Sequence, residues 1–148
     1  MKLSEHFTLE ELTSSEMARR LGVDNSPDDG QLSNLRQVAS LMETIRHLVE
    51  DFPIVVHSGF RTAVVNRAIG GVATSAHCLG LACDFTCPSF GKPEVVAAKI
   101  VEAEIQYDQL ILEYGWVHVG LSPEGGRLRN ESLTKASAKS AYGIGIRF

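Results

Sequence analysis

The chain has no apolar run near the ~20 residues that a membrane-spanning helix needs. Its opening, Met1-Lys2-Leu3-Ser4-Glu5-His6, has no apolar core of the kind a secretory leader carries. Those two absences weigh against a membrane-spanning helix and a secretory leader, and the expectation is a soluble protein, a monomer, cytoplasmic as synthesised. No basic stripe is present either. Fourteen Lys and Arg against 18 Asp and Glu leave a scattered net charge of −4, which argues against a nucleic-acid partner. Cysteine is scarce and odd in number: Cys78, Cys83 and Cys87. Any bridge among them leaves one thiol over, so free thiols in a reducing compartment are the expectation. No repeat or low-complexity linker divides the 148 residues, a length suited to one domain with a real core.

The elements read as a mixture. Thr8 and Glu11 form a capping-box pattern opening a helix that runs toward Leu21 and stops at Gly22. After a loop from Asn25 to Gly30, Leu32, Leu35, Val38, Ala39, Met42, Ile45, Leu48 and Val49 recur at helical spacing. Pro53 ends the connection, and Ile54–Ser58 is β-branched enough for a buried strand. A short helix over 62–69, a loop at Gly70-Gly71 and a strand over 81–86 follow. Pro93 suits the first turn of a helix through Glu104. Residues 109–113 and 116–121 are strands joined by a turn at Tyr114-Gly115. Beyond Ser122 the signal weakens, and only Tyr142–Phe148 recovers apolar alternation. The predicted fold class is α+β, with helices packed on a small, mainly antiparallel sheet that carries the site on one face.

The chemistry concentrates in Ser75-Ala76-His77-Cys78-Leu79-Gly80-Leu81-Ala82-Cys83-Asp84 and in Trp116-Val117-His118-Val119. His77, Asp84 and His118 offer two imidazoles and one carboxylate on separate elements. Such a set suits Zn²⁺ with its fourth position open for water. Spacing alone leaves open that two histidines merely flank a strand aspartate. The three cysteines with a histidine are the alternative metal site. Alternation in an extended segment turns Cys83 to the face opposite Asp84, which weighs against it.

Written S-x-H-x-x-G-x-A-x-D…W-x-H, the segment resembles the signature of the LAS zinc metallopeptidases. These are D-alanyl-D-alanine carboxypeptidases and dipeptidases, with related L-alanyl-D-glutamate endopeptidases of bacteria and phages. The resemblance continues upstream through Ser58-Gly59-Phe60-Arg61-Thr62, Asn66 and Gly70-Gly71. Ser4–Leu12 and Asn25-Ser26-Pro27 are similar to the front of small single-domain members, so most of residues 4–122 is covered. The resemblance implies zinc held by His77, Asp84 and His118, and an arginine, Arg61, beside it. It also implies hydrolysis of peptidoglycan stem peptides, either by a D,D-carboxypeptidase or by an L-Ala-D-Glu endopeptidase such as a phage endolysin. Reaching the wall would then require a lysis machinery that opens the membrane, or carriage in a virion.

Hydrolysis needs a base as well as a metal. Many members of the resembled family carry an acid three positions before the second histidine, where this chain has Gly115. Glu113 is the nearest upstream carboxylate. A two-residue turn at Tyr114-Gly115 pairs Glu113 with Trp116 and puts it on the face of His118. Arg61 is the candidate clamp for a substrate carboxylate or an oxyanion, and Ser75 a candidate for orienting ligand or peptide. Asp108 is the fallback acid; Asp108 and Gln109 either support the site or begin a strand. His57 reads as a strand or core histidine, His6 and His47 as helical residues without a role, and Trp116 as packing beside the site. The missing acid at Gly115 keeps a second reading open, a non-catalytic zinc-stabilised module that binds wall peptide or protein.

Overall fold

The computed structural model of the protein describes residues 1–123 and 126–147. Phe148, at the end of the alternating C-terminal segment, lies outside them. Helices α1 (Leu9–Thr13), α2 (Glu16–Leu21) and α3 (Asp29–Leu48) precede strand β1 (Val55–Ser58). Helix α4 (Ala63–Ala68), a 3-10 turn (Ala76–Leu79), strand β2 (Ala82–Thr86) and helix α5 (Pro93–Glu102) follow. Strands β3 (Gln109–Leu112), β4 (Val117–Gly120), β5 (Glu131–Thr134) and β6 (Gly143–Ile144) complete the described elements. The strands form one sheet in the order β1-β2-β4-β3-β5-β6. Every neighbouring pair is antiparallel except β3 with β5. The α+β, mainly antiparallel expectation therefore holds.

Alternation gives the sheet two different faces. Cys83, Phe85, Leu110, Leu112, Val117 and Val119 are buried on one face, in a core shared with Leu35, Val38, Met42 and Ile45 of α3 and Val96, Ala97 and Ile100 of α5. Asp84 and His118 point to the other face. Cys83 is thus turned away from Asp84, and all three cysteines are free thiols. Among the described residues, no helix is long and apolar enough to cross a membrane.

Several local expectations need correction. The first helix does not continue to Leu21. Ser14 is extended and Ser15 caps a new helix by accepting from the Ala18 N–H, so the serine pair breaks the run in two. The loop after Asn25 ends two residues earlier than expected, because Asp28 and Gln31 form a capping box at the start of α3. β1 is an edge strand of exposed and half-buried residues rather than a buried one. His57 on it is exposed and bonds Thr86 Oγ1 at 2.8 Å. His6 lies ahead of α1, not on a helix, with Nδ1 2.7 Å from Glu43 Oε1.

The segment after Ser122, nearly silent in sequence, returns to the sheet. Asp108 anchors it by accepting from the backbone N–H, Nε and Nη2 of Arg129 at 3.2, 3.0 and 2.8 Å. These bonds, led by that from the Arg129 guanidinium, hold the Asp108 carboxyl below its ordinary value. With Asp108 so engaged, Gln109 donates to Glu131 at 2.8 Å. The depressed value means that the stabilisation is complete above the unfolded carboxyl pKa of about 3.9 and is lost as pH falls through the lower folded value. Asp108→Asn is therefore expected to cost up to about 1 kcal/mol in denaturant unfolding at pH 7, since the Arg129 partner is solvent-screened. The difference should shrink as both proteins are acidified through that range.

Candidate functional site

Register assembles the site. Asp84 on β2 stands directly opposite His118 on β4, and Ser58 opposes Asp84 from β1. His77 arrives from the 3-10 turn just before β2, which Ser75 opens by accepting from the His77 N–H. His77 Nε2 lies 3.1 Å and His118 Nδ1 2.8 Å from the same oxygen, Asp84 Oδ1. The side chains of His77, Asp84 and His118 are 3, 14 and 12 % exposed. These are the three residues that the resemblance implies as ligands, and folding brings their donor atoms within 4.8 Å of one another.

The second ring nitrogen of His77 is held by the backbone at Gly59. His77 Nδ1 donates to the Gly59 carbonyl at 2.6 Å, which fixes the tautomer and frees Nε2 for a ligand role. Gly59 has to be glycine because a Cβ there would collide with the carbonyl oxygen of Leu12, at the end of α1. Gly80 takes φ +75° as the cap of the 3-10 turn, and a Cβ on it would meet the Gln31 carbonyl oxygen at 2.6 Å. Helix α3 grips this loop further, with Gln31 donating to the Cys78 carbonyl and Asn34 to the Leu79 carbonyl. Asn25 fastens the opposite side: it donates to the carbonyls of Thr13 and Phe60 and accepts from the Thr62 N–H. The roles of Asn25 and of the Gly59 carbonyl were missed in sequence; the Asn25 and Ser-Gly-Phe-Arg motifs were the available signals.

Electrostatics suit a cation. Burial pushes His77 below the ordinary histidine value, outweighing the attraction of Asp84, so its imidazole favours the neutral form. Burial on its own would raise Asp84; the charge of a protonated His77, with the hydrogen bonds that both rings can then donate, holds its carboxyl far below the usual range. A neutral His77 that gives its one N–H to Gly59 turns a lone pair toward the Asp84 carboxylate. A shared divalent cation relieves that opposition. Ligand separations of 3.1 and 2.8 Å compare with about 3.3 Å between donors of a tetrahedral zinc site with bonds near 2.0 Å. The residues fit the ion.

Glu113 and Arg61 flank the triad. The Glu113 N–H donates to the Trp116 carbonyl at 2.9 Å, the pairing expected from a two-residue turn. Ile111 opposes His118, so Glu113 shares their face one pair farther along. It is half-buried, and burial followed by the charge of Asp84 pushes its carboxyl upward against the pull of His118 and Lys135. Arg61 donates through its backbone N–H to the His77 carbonyl at 3.2 Å and through Nη2 to Ser75 Oγ at 3.2 Å. Its Nε is buried without a hydrogen-bond partner among the described residues. Trp116 packs edge-on against Tyr114, with ring centroids 4.6 Å apart. Asp108, held by Arg129, is not brought into this group.

No curated protein matches the chain. A sequence profile described as Peptidase M15 matches residues 5–120, a span containing every residue of the triad together with Arg61 and Glu113. With more than half of its length matched and the two-histidine, one-carboxylate cluster assembled within that span, the chain belongs to the Peptidase M15 family of metallopeptidases.

Proposed function

We propose that the protein is a zinc-dependent peptidase acting on peptidoglycan stem peptides, either as a D,D-carboxypeptidase or as an L-Ala-D-Glu endopeptidase of the phage endolysin type. The observation that carries this reading is the convergence of His77 Nε2 and His118 Nδ1 on one Asp84 oxygen, with Glu113 on the same sheet face. The chemistry supplied by a zinc ion held by those three side chains is activation of a water molecule and polarisation of the scissile carbonyl. Glu113 is then the base: its carboxylate takes the proton of the attacking water and delivers it to the leaving amine. A carboxyl raised by burial is suited to both halves of that transfer. Gly59 keeps the His77 ring in the tautomer that leaves Nε2 available.

Arg61 completes the site by gripping a substrate carboxylate or the developing oxyanion, oriented by Ser75. A buried, unpartnered Nε donor supports that role, since such a group costs about 1–3 kcal/mol until something accepts its hydrogen bond. Arg61→Ala is expected to keep zinc and fold while lowering kcat/KM about 10²-fold. Lysine should rescue only partly because it lacks the planar fork. Unchanged turnover of the alanine variant would remove Arg61 from the site.

Digestion of purified muropeptides with and without a chelator tests the reading as a whole. Products that form only with metal, and re-form when zinc is restored, are the expected result, and their masses identify the bond cut. Binding of muropeptide without cleavage would replace the enzyme by a zinc-stabilised binding module. In the lytic setting, a protein made in the cytoplasm reaches the wall when the membrane is opened.

A further inference from the structure

The family match ends at residue 120, yet the sheet does not end there. The β5–β6 hairpin continues the face that carries the triad. Leu133 lies beside Ile111 in parallel register, and Thr134 beside Leu112. The Lys135 N–H donates to the Leu112 carbonyl at 2.8 Å, so Lys135 is the neighbour of Glu113 and shares its face. Across the hairpin Thr134 pairs with Gly143, which brings Tyr142 opposite Lys135. The contact is made: Lys135 Nζ stands 4.3 Å from the centroid of the Tyr142 ring and donates to the Ser140 carbonyl at 2.7 Å. One of three ammonium donors is thus committed, and the ammonium itself is held over an aromatic face. Such a cation is preorganised for an anion at little further ordering cost.

Position gives the anion a meaning. Arg61 stands at the His77 side of the triad, and Lys135 stands beyond Glu113 on the other. From β4 to β5 is two inter-strand steps, about 10 Å, which extended peptide covers in about three residues. A peptide crossing the strands over the triad therefore meets a cation on either side of the bond at His118. Stem peptides are rich in carboxylates, and amidation of one of them removes its charge with little change of shape.

We propose that Lys135, held against Tyr142, is a specificity-determining residue that receives a substrate carboxylate within three residues of the scissile bond, on the Glu113 side. This rests on the peptidase reading above and adds a selection for free-acid over amidated peptides.

The test uses two synthetic stem peptides that differ only in carboxylate against carboxamide at that position. Zinc-loaded wild type is expected to favour the carboxylate about 10-fold in kcat/KM, mostly through KM, as one partly exposed charge-assisted hydrogen bond provides. Lys135→Met, which keeps an unbranched apolar side chain and removes the charge, should bring the ratio to about one, and Lys135→Arg should restore part of it. A wild-type ratio of one overturns the proposal. So does a methionine variant that slows both peptides while leaving the ratio intact, since that is the mark of a merely structural lysine. Calorimetric binding of both peptides to Glu113→Gln, with and without Lys135→Met, reads the same preference without turnover. If neither peptide is cleaved, the peptidase reading falls, and the calorimetric ratio still decides the role of Lys135.

Discussion

Asp84→Ala and His118→Ala are each expected to lose zinc, with affinity falling by more than about 100-fold. Loss of a supporting hydrogen bond alone typically costs about 10- to 100-fold, and removal of a ligand must exceed it. Asp84 carries the larger effect because both histidines converge on its Oδ1. Its removal takes away the only negative charge among the three ligands. Metal analysis of purified wild type should give about one zinc per chain, the stoichiometry of a single three-ligand site. Full occupancy in both variants would reject the assignment. The cobalt-substituted protein should show no thiolate charge-transfer band, since Cys83 is buried on the opposite face and Cys87 lies against the carbonyls of Phe52 and Pro53. Appearance of that band would return the ligand set to the cysteines.

Glu113→Gln is expected to retain zinc and fold yet cut hydrolysis by about 10²- to 10⁴-fold, the usual worth of a positioned acid–base group. The amide is nearly isosteric with the carboxyl but takes no proton. Burial raises Glu113, and only its ionised form can act as the base. In wild type kcat/KM should therefore fall as pH drops through the Glu113 value, and activity should recover as pH rises through it. Full activity of the glutamine variant would exclude Glu113 as the base. Asp108 would be a poor successor, because three hydrogen bonds tie it to Arg129.

The grouping of His77, Asp84 and His118 was expected from the resemblance of their motifs to a metallopeptidase signature, since spacing alone left it open; the fold brings the three together. The placement of Glu113 was legible for a different reason. A two-residue turn determines register, and register determines facing, so one short connection carried the inference from Tyr114-Gly115 to the site face. What could not be read were contacts between distant segments. Nothing local in Gly59 announces that the Leu12 carbonyl presses on it, or in Gly80 that Gln31 does. Glu131-Ser132-Leu133-Thr134 is polar and half-buried, and its parallel pairing with β3 depends on Asp108 and Arg129 meeting across the fold. The serine pair at 14 and 15 gave the opposite difficulty, a local competition that a helical apolar pattern conceals.

The Gly59 peptide links two processes that look separate. Its carbonyl accepts from His77, while the next N–H, that of Phe60, donates to the Leu12 carbonyl at 2.7 Å. Occupancy of the site by an ion and docking of the first helix are therefore expected to be coupled, since both act on the Gly59–Phe60 peptide. An ion that binds only the folded chain adds stability that grows with its concentration, about 4 kcal/mol at a thousandfold excess over its dissociation constant. Part of that stability must appear as slower amide exchange at Phe60 and in α1. Coupling of this kind is reciprocal. Whatever loosens the N-terminal helix weakens the hold on the ion by the same factor by which the ion steadies the helix.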